Sequence, residues 1–259
     1  MRVLPIPLFA DNYCYAVIGR GASSFALVDA AHYPSILAYI QNSDLLRKLR
    51  LTHVLTTHKH EDHSGGNREL SVAYPSVSIL GGRGDEVPAC TQTVSDNDEV
   101  EWEGVRGRVL AVPCHTRGHV AYYLRDEESQ VVFTGDTVFV GGCGRFFEGS
   151  AQEMHTAFQR LLTLPGDTLM YPGHEYTVAN LRWAAQVDKD NPHLQAKLSW
   201  AEEARRQGLF TVPSTLQEEL TYNVFLRAAH FQALTGTSDP VSCLAELRRW
   251  KNENRVERN

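Results

Sequence analysis

The stretch LTTHKHEDHSGG, residues 55–66, constrains this chain more than any other part of it. It places His58, His60, Asp62 and His63 within six positions, and His58 is the last residue of THVLTTH, a run that predicts a buried strand. Burying so many polar groups costs several kcal/mol unless each one finds a partner, and divalent metal ions are partners that imidazole and carboxylate suit well. A single ion cannot easily take four ligands from six consecutive residues, so the spacing favours two ions. His58 and His60 then face one ion, and Asp62 and His63 face the other.

Each ion needs further ligands, and three candidates elsewhere also follow an apolar run. His115 lies in AVPCHTRGH, Asp136 in VVFTGDT and His174 in LMYPGHEY. Polar groups at the ends of buried strands are where a rigid scaffold can hold a site. The pattern therefore predicts a binuclear metal site at one end of a sheet.

Composition excludes several other classes of protein. The 259 residues are 42% hydrophobic and 22% charged, which is ordinary for a globular protein of one or two domains, and the net charge of −6 argues against general affinity for nucleic acid or anionic membranes. The five cysteines are odd in number and scattered without a CxxC pair, as expected for free thiols in a reducing compartment. The start of the chain shows neither a signal-peptide pattern nor a transmembrane run. We expect a cytoplasmic location, or the mitochondrial matrix if a transit peptide has been removed.

The period of the apolar residues changes along the chain. Up to about residue 175, short runs rich in β-branched residues predict strands, and HYPSILAYIQNSDLLRKL predicts a helix. Ser150 followed by Glu153 is typical of a capping box at a helix start. After Tyr176 the chain looks helical almost to its end, including STLQEELTYNVFLRAAHF. We predict a β-rich α/β domain over residues 1–175, which contains the candidate metal ligands, and a helical region over residues 176–259.

These motifs resemble those of a known superfamily. THKHEDH matches the T-H-x-H-x-D-H signature of the metallo-β-lactamase fold, and HTRGH, TGDT and GHEY match its later metal-binding motifs in the same order. The fold class that the resemblance implies is α/β: an αββα four-layer sandwich, here followed by a helical C-terminal region.

A narrower resemblance covers nearly the whole chain. DNYCY, FVGGCGRFFEG, YPGHEYT, FTVPSTLQEELTYNVFLR and the terminal RRWKNEN are similar to the corresponding motifs of glyoxalase II, the hydroxyacylglutathione hydrolases. The family pattern implies His58, His60 and His115 as ligands of one metal. It implies Asp62, His63 and His174 for the other, with Asp136 bridging both. Lys59 stands at a variable position that is not a ligand, and Asp29 is a candidate for orienting the site.

The same resemblance implies that residues 1–175 form the metal-binding catalytic domain and residues 176–259 the helical substrate-binding domain. It also implies a set of substrate-binding residues: Arg145, Phe147, Tyr176, Arg248 and Lys251. Arg145 stands where the family commonly has lysine, which keeps the charge but changes its geometry. Phe147 stands where many relatives have tyrosine, so one polar contact is absent or replaced. Judged from the residues alone, Arg248 and Lys251 are more simply interpreted as a solvated helix face.

The activity implied is hydrolysis of S-D-lactoylglutathione to D-lactate and glutathione, the second step of methylglyoxal detoxification. A hydroxide bridging two metals would attack the thioester, oriented by Asp62 and Asp136 as the catalytic residues. Zn²⁺ is the first choice of metal, and Fe and Mn²⁺ accept the same ligands. The expected partner is a small glutathione thioester, without nucleic acid or membrane, and the chain is expected to be a monomer.

Three alternatives remain open at this point. The chain could be a mononuclear iron persulfide dioxygenase of the same fold, although those proteins generally lack the long helical C-terminal region. It could be a nuclease or β-lactamase of the fold, which the acidic balance and the terminal motifs disfavour. It could also be a non-catalytic binding protein that retains the fold, against which the complete ligand set argues.

Overall fold

Two six-stranded β-sheets face each other in the computed structural model, which describes residues 1–21 and 23–256. In the first sheet the strands follow one another in chain order, antiparallel from β1 to β3 and parallel from β3 to β6. Its strands are β1 Arg2–Leu8, β2 Asn12–Ile18, β3 Ser24–Val28, β4 Arg50–Thr56, β5 Ser78–Gly82 and β6 Gln92–Val94.

The second sheet has the order β14-β13-β10-β9-β8-β7, and β13 runs parallel to β10 while the other neighbours are antiparallel. A short antiparallel hairpin, β11 with β12, leaves the end of β10. These strands are β7 Glu99–Trp102, β8 Val105–Ala111, β9 Val120–Arg125, β10 Gln130–Gly135, β11 Val138–Phe139, β12 Gly142–Cys143, β13 Leu169–Pro172 and β14 Ser214–Thr215.

Helices cover the outer faces of both sheets. The α-helices are α1 Tyr33–Asn42, α2 Glu61–Ser64, α3 Asn67–Ala73, α4 Ala151–Leu161, α5 Thr177–Val187, α6 Pro192–Arg206, α7 Leu216–Tyr222, α8 Gln232–Thr235 and α9 Pro240–Asn252. Short 3₁₀ helices span Leu46–Lys48 and Ala228–Phe231. Within the described residues, no helix is both long enough and apolar enough to cross a membrane.

Three hydrophobic clusters show how the layers are held together. One lies between the sheets and includes Tyr15 of β2 with Tyr122 of β9. A second joins the outer face of the first sheet to α1 and α3, and it contains Ile36 and Leu70. The third joins the outer face of the second sheet to α4 and to the helices after residue 176. The predicted four-layer αββα architecture is therefore confirmed, with the helical C-terminal region sharing the core of the outer layer.

The structure confirms one of the predicted helix ends and contradicts two others. The capping box is confirmed, because the Ser150 side chain accepts from the Glu153 amide and Glu153 caps the Ser150 amide in return. The prediction of one helix over residues 32–49 is wrong, since α1 stops where Ser43 takes an extended conformation. The helix predicted through residues 214–231 also stops early, at Asn223. The Asn223 side chain accepts from the Phe225 amide and donates to two carbonyls of the β11–β12 hairpin, so it bonds outside a helix.

The region after residue 176 is not purely helical. β14 pairs with β13 and so extends the second sheet, while α5, α6, α7 and α9 contribute to the same hydrophobic cluster as α4. The division at residue 175 stays a prediction, and residues 257–259 of the predicted second domain lie outside the described part of the chain.

Candidate metal centre

The side chains predicted to bind metal meet at one edge of the two sheets. Each lies just beyond the C-terminal end of a strand or on the short helix α2 that follows β4. The residues and the strands that precede them are His58, His60, Asp62 and His63 after β4, His115 after β8, Asp136 after β10 and His174 after β13. The fold thus brings together residues from four separate parts of the sequence.

The first cluster consists of three imidazoles. His60 Nδ1 lies 3.0 Å from His58 Nε2 and 3.1 Å from His115 Nε2. One potential ligand atom from each ring falls within 4.8 Å of those of the other two, a spacing that one metal ion can fill. His58 is fully buried and His115 is nearly so, which leaves His60 on the open side.

The second cluster combines two imidazoles with a carboxylate. His63 Nε2 lies 3.2 Å from His174 Nε2, and Asp62 Oδ2 lies 3.4 Å from His174 Nε2 and 3.7 Å from His63 Nε2. These three potential ligand atoms again lie within 4.8 Å of one another.

Asp136 stands between the two clusters. Its Oδ2 lies 3.4 Å from His115 Nε2 on one side, and its Oδ1 lies 3.3 Å from His63 Nε2 and 3.5 Å from His174 Nε2 on the other. Among the described residues, the buried Oδ1 has no hydrogen-bond partner of acceptable geometry. Such an orphaned carboxylate oxygen is costly in a protein interior unless a cation satisfies it. The donor set and the orphaned oxygen both fit a binuclear divalent metal site.

Two acidic side chains orient the rings of the second cluster. Buried Asp29 lies 2.9 Å from His63 Nδ1, and it also accepts from the backbone amide and hydroxyl of Thr57, each at 2.8 Å. Asp11 Oδ1 lies 2.9 Å from His174 Nδ1. Each contact favours the tautomer that leaves Nε2 free to bind a metal. Asp29 thus lies where the sequence placed an orienting acid.

Sequence reasoning missed Asp11 and Asn12, although both lie in the quoted motif DNYCY. Asn12 Nδ2 donates to the Asp62 carboxylate at 3.1 Å and to the Asp62 carbonyl at 2.9 Å. Two adjacent short polar residues at the start of the fully buried strand β2 were the signal that could have revealed them.

His119 is a further buried histidine beside the first cluster. Its ring stacks on His58 at 4.6 Å between centroids, and its Nε2 accepts from the Asp136 amide at 3.2 Å. Its Nδ1 has no partner among the described residues. Within the described part of the chain, only one of the two His119 ring nitrogens is therefore satisfied.

Protonation follows from burial and from the packing of opposite charges. Burial, and then the neighbouring His63, lower the pKa of His58 well below its ordinary value. Burial opposes charge at His174 too, but the Asp136 and Asp62 carboxylates beside its ring outweigh that effect and raise its pKa to about 11. The hydrogen bond from His174 in turn holds the pKa of Asp62 well below its usual range. A cation that binds at this cluster must therefore compete with a proton on His174.

A cavity of about 530 Å³ opens directly over the two clusters. Its floor includes predicted metal ligands from both clusters: His60, Asp62, His115, Asp136 and His174. Its walls include all five predicted substrate-binding residues: Arg145, Phe147, Tyr176, Arg248 and Lys251. The volume lies within the usual range for small-molecule sites.

The two aromatic residues of the cavity lie against ligand rings. Tyr176 stacks on His174 with centroids 4.5 Å apart and planes 7° from parallel. The Phe147 ring lies 5.0 Å from that of His115 and is 59% exposed. Arg145 contributes through its backbone too, since its carbonyl lies 3.0 Å from His115 Nδ1.

The interpretation of Arg248 and Lys251 as a solvated helix face is wrong. Arg248 is only 7% exposed, and its Nη1 donates to the Cys143 carbonyl at 2.9 Å. Lys251 Nζ donates to the Ala179 carbonyl at 3.3 Å and lies 5.3 Å from the centroid of the Trp183 ring. Burial, and then the Arg248 charge, lower the pKa of Lys251 to about 8. These cations point into the cavity, a position that the helical pattern alone does not reveal.

Known proteins resemble the chain over both of its parts. A family model described as "Metallo-beta-lactamase superfamily" matches residues 13–174, and one described as "Hydroxyacylglutathione hydrolase C-terminus" matches residues 175–254. The chain is 38% identical to a protein named cytoplasmic hydroxyacylglutathione hydrolase from Arabidopsis thaliana, over 98% of this chain and 99% of the relative. It is 41% identical to one named hydroxyacylglutathione hydrolase from Synechococcus sp., over 98% and 100%.

Among solved structures, the crystal structure of ETHE1 from Myxococcus xanthus superposes with a TM-score of 0.67 at 25% identity. The superposition covers 97% of this chain and 92% of that one.

Proposed function

We propose that this chain, which belongs to the hydroxyacylglutathione hydrolase family of the metallo-β-lactamase superfamily, hydrolyses S-D-lactoylglutathione to D-lactate and glutathione. One structural observation, the lining of the cavity, supports the proposal most directly. A single cavity has two His/Asp clusters on its floor and three cationic side chains, Arg145, Arg248 and Lys251, on its walls. That arrangement suits a substrate with a hydrolysable carbonyl at one end and carboxylates at the other.

The residues that would hold the metals are the seven that the family pattern implies. His58, His60 and His115 form one set, Asp62, His63 and His174 form the other, and Asp136 lies between them. Two divalent ions held there would supply a hydroxide near neutral pH and would polarise the thioester carbonyl.

The chain's own groups prepare the site for this chemistry. Asp29 and Asp11 hold the rings of His63 and His174 at Nδ1, so their Nε2 atoms lie 3.2 Å apart on the side of Asp62 and Asp136. The depressed pKa of Asp62 keeps its carboxylate ionised, so it can bind a metal and orient a nucleophilic water by accepting a hydrogen bond from it. No strong protein acid is required, because the departing thiolate has a conjugate-acid pKa of about 8.5.

Substrate recognition follows from the cavity walls. Glutathione presents two carboxylates, and Arg248 and Lys251 offer partly desolvated cations to receive them. Burial raises the pKa of Tyr176, so its hydroxyl stays protonated and able to donate a hydrogen bond. Phe147 provides an apolar edge beside His115 in place of the hydroxyl that many relatives have.

The main rival is a mononuclear iron persulfide dioxygenase, which generally lacks the long helical C-terminal region. The match of residues 175–254 to a hydroxyacylglutathione hydrolase C-terminus favours the hydrolase, as do the cations that α9 places in the cavity. A non-catalytic binding protein would not need a complete set of seven metal-binding side chains beside the same cavity.

We also propose Zn²⁺ as the bound metal, a monomeric state and a cytoplasmic location. The imidazole-rich donor set suits Zn²⁺, although Fe and Mn²⁺ accept the same ligands. All five cysteines are free, and four of them are buried, which fits a reducing compartment.

One experiment tests the function directly: elemental analysis and lactoylglutathione turnover measured on the same sample. Two equivalents of metal with rapid thioester hydrolysis support the proposal. One equivalent of iron with oxygen consumption and without hydrolysis would establish the dioxygenase instead. Two equivalents of metal with neither reaction would point to a binding protein.

A further inference from the structure

Lys59 lies between two of the clustered histidines but turns away from them. Its Nζ lies 2.7 Å from Glu148 Oε1, and the two side chains are 33% and 31% exposed. Its backbone amide donates to the buried carboxylate of Asp85 at 2.6 Å. The residue that the sequence treats as a spacer thus forms an ion pair with a distant part of the chain.

Glu148 connects this pair to the loop of another histidine. Its Oε2 accepts from the Arg117 amide at 2.7 Å, and its own amide donates to the Cys114 carbonyl at 3.1 Å. Both contacts flank His115 of the first cluster. The Glu148 carboxylate therefore connects its own segment to the loop after β4, through Lys59, and to the loop after β8, through Arg117.

That segment, residues 144–149, carries three residues that line the cavity, Gly144, Arg145 and Phe147, without the support of regular structure. It runs between β12 and α4 with no helix or strand of its own, so specific contacts fix its position. Phe147 lies directly before Glu148 in the chain, and its ring lies 5.0 Å from the His115 ring and 6.0 Å from the His60 ring. Because Phe147 is 59% exposed, burial alone does not hold it.

We propose that the Lys59–Glu148 ion pair is a positioning device that holds Phe147 over the first histidine cluster and thereby sets the affinity for the thioester. The proposal deepens the proposed function and rests on it. Neither side chain touches the reacting atoms, and both act through Phe147. The opposing view is that the pair is one of the many partly exposed ion pairs that contribute nothing measurable.

The test compares Lys59→Met with Lys59→Arg, which keeps the charge, and with a matched control. The control is Arg160→Met, because Arg160 pairs with Asp96 at nearly the same exposure, 32% and 35%, away from the cavity. The Asp96 carboxylate also accepts a backbone amide, that of Ala111, as Glu148 does. We measure KM and kcat for lactoylglutathione, metal content, and hydrogen exchange of the Arg117 and Glu148 amides.

We expect Lys59→Met to raise KM about five-fold, the upper end for a partly exposed ion pair, with kcat and metal content within two-fold. Lys59→Arg should restore KM, and Arg160→Met should leave it unchanged. In a Phe147→Ala background, Lys59→Met should raise KM no further, because the positioned side chain is gone. The two amides should also exchange faster in Lys59→Met than in the control.

Two results would overturn the proposal. One is a Lys59→Met protein with unchanged KM and unchanged amide exchange. The other is an effect of equal size in the Phe147→Ala background, which would show that the pair acts elsewhere. A wild-type protein that fails to hydrolyse the thioester would refute the proposed function. The structural role of the ion pair could still be measured in that case, because hydrogen exchange does not require turnover.

Discussion

Lys251 gives the proposed glutathione site a pH dependence that can be predicted in sign and size. Its ammonium lies in the wall of the cavity beside Arg248, and burial, followed by the charge of that arginine, lowers its pKa to about 8. Below pH 8 the side chain is charged and can bind a carboxylate. Above pH 8 it becomes neutral, and the attraction is lost.

The size of the effect follows from the fraction of charged lysine. With a pKa of about 8, that fraction falls from about 90% at pH 7 to about 10% at pH 9. If the neutral form binds the substrate about ten-fold more weakly than the charged form, the apparent affinity falls and KM rises about five-fold over this interval. The ten-fold difference between the two forms is the lower end of the contribution of a charge-assisted hydrogen bond, roughly 1.5–3 kcal/mol or about 10- to 150-fold.

The assay is the initial rate of lactoylglutathione hydrolysis at pH 7, 8 and 9 for wild type, Lys251→Arg and Lys251→Met. The arginine variant stays charged throughout, so its KM should change little with pH. The methionine variant should begin with KM raised about ten-fold at pH 7 and also show a flat profile. If Lys251→Arg keeps the wild-type rise in KM, another group titrates and the assignment of Lys251 to carboxylate binding is wrong.

Four further predictions concern the metal clusters and the network behind the cavity. His58→Ala or Asp136→Ala should abolish hydrolysis and lower bound metal, and full activity in the Asp136 variant would refute the two-metal scheme. Removing the metals with a chelator should lower Tm, and adding divalent metal should restore Tm, because a ligand that binds only the native state stabilises that state. An unchanged Tm would contradict metal binding by the native clusters. Glu219→Gln should lower the free energy of unfolding, measured in urea, by about 3 kcal/mol, because the buried carboxylate accepts four hydrogen bonds that an amide cannot all receive. A decrease below about 0.5 kcal/mol would show that the network rearranges to accommodate glutamine. Arg248→Ala together with Lys251→Ala should raise KM more than it lowers kcat, and unchanged KM would remove both residues from the binding site.

The candidate metal ligands can be predicted from the sequence because most of them follow the C-terminal end of a predicted strand. His115, Asp136 and His174 each follow an apolar run, and chain ends of neighbouring strands in two packed sheets gather at one edge. The αββα layers follow from the same runs together with the resemblance of the motifs. These features depend on local pattern, which a single sequence contains.

Contacts between distant segments are harder to foresee. Nothing in the pattern around Asp11 indicates that it meets His174, since 163 positions separate them. The spacing of Arg248 on α9 is compatible with solvent, and only the packing of α9 against the second sheet's outer layer buries it. Asn223 ends α7 because its side chain bonds to the hairpin, a partner that helix propensity does not include.

The segment from Asp136 to Glu148 shows why the two predicted parts of the chain must act together. It starts with the carboxylate between the metal clusters and ends at the carboxylate that Lys59 holds. Its middle, the β11–β12 hairpin, is fixed from behind by Asn223 and Glu219 and from the cavity side by Arg248. The helices after residue 176 therefore support the backbone that carries Asp136 at the metal-binding edge. Both predicted parts of the chain line the cavity, since α9 supplies Arg248 and Lys251 while the loops after the strands supply the histidines and aspartates.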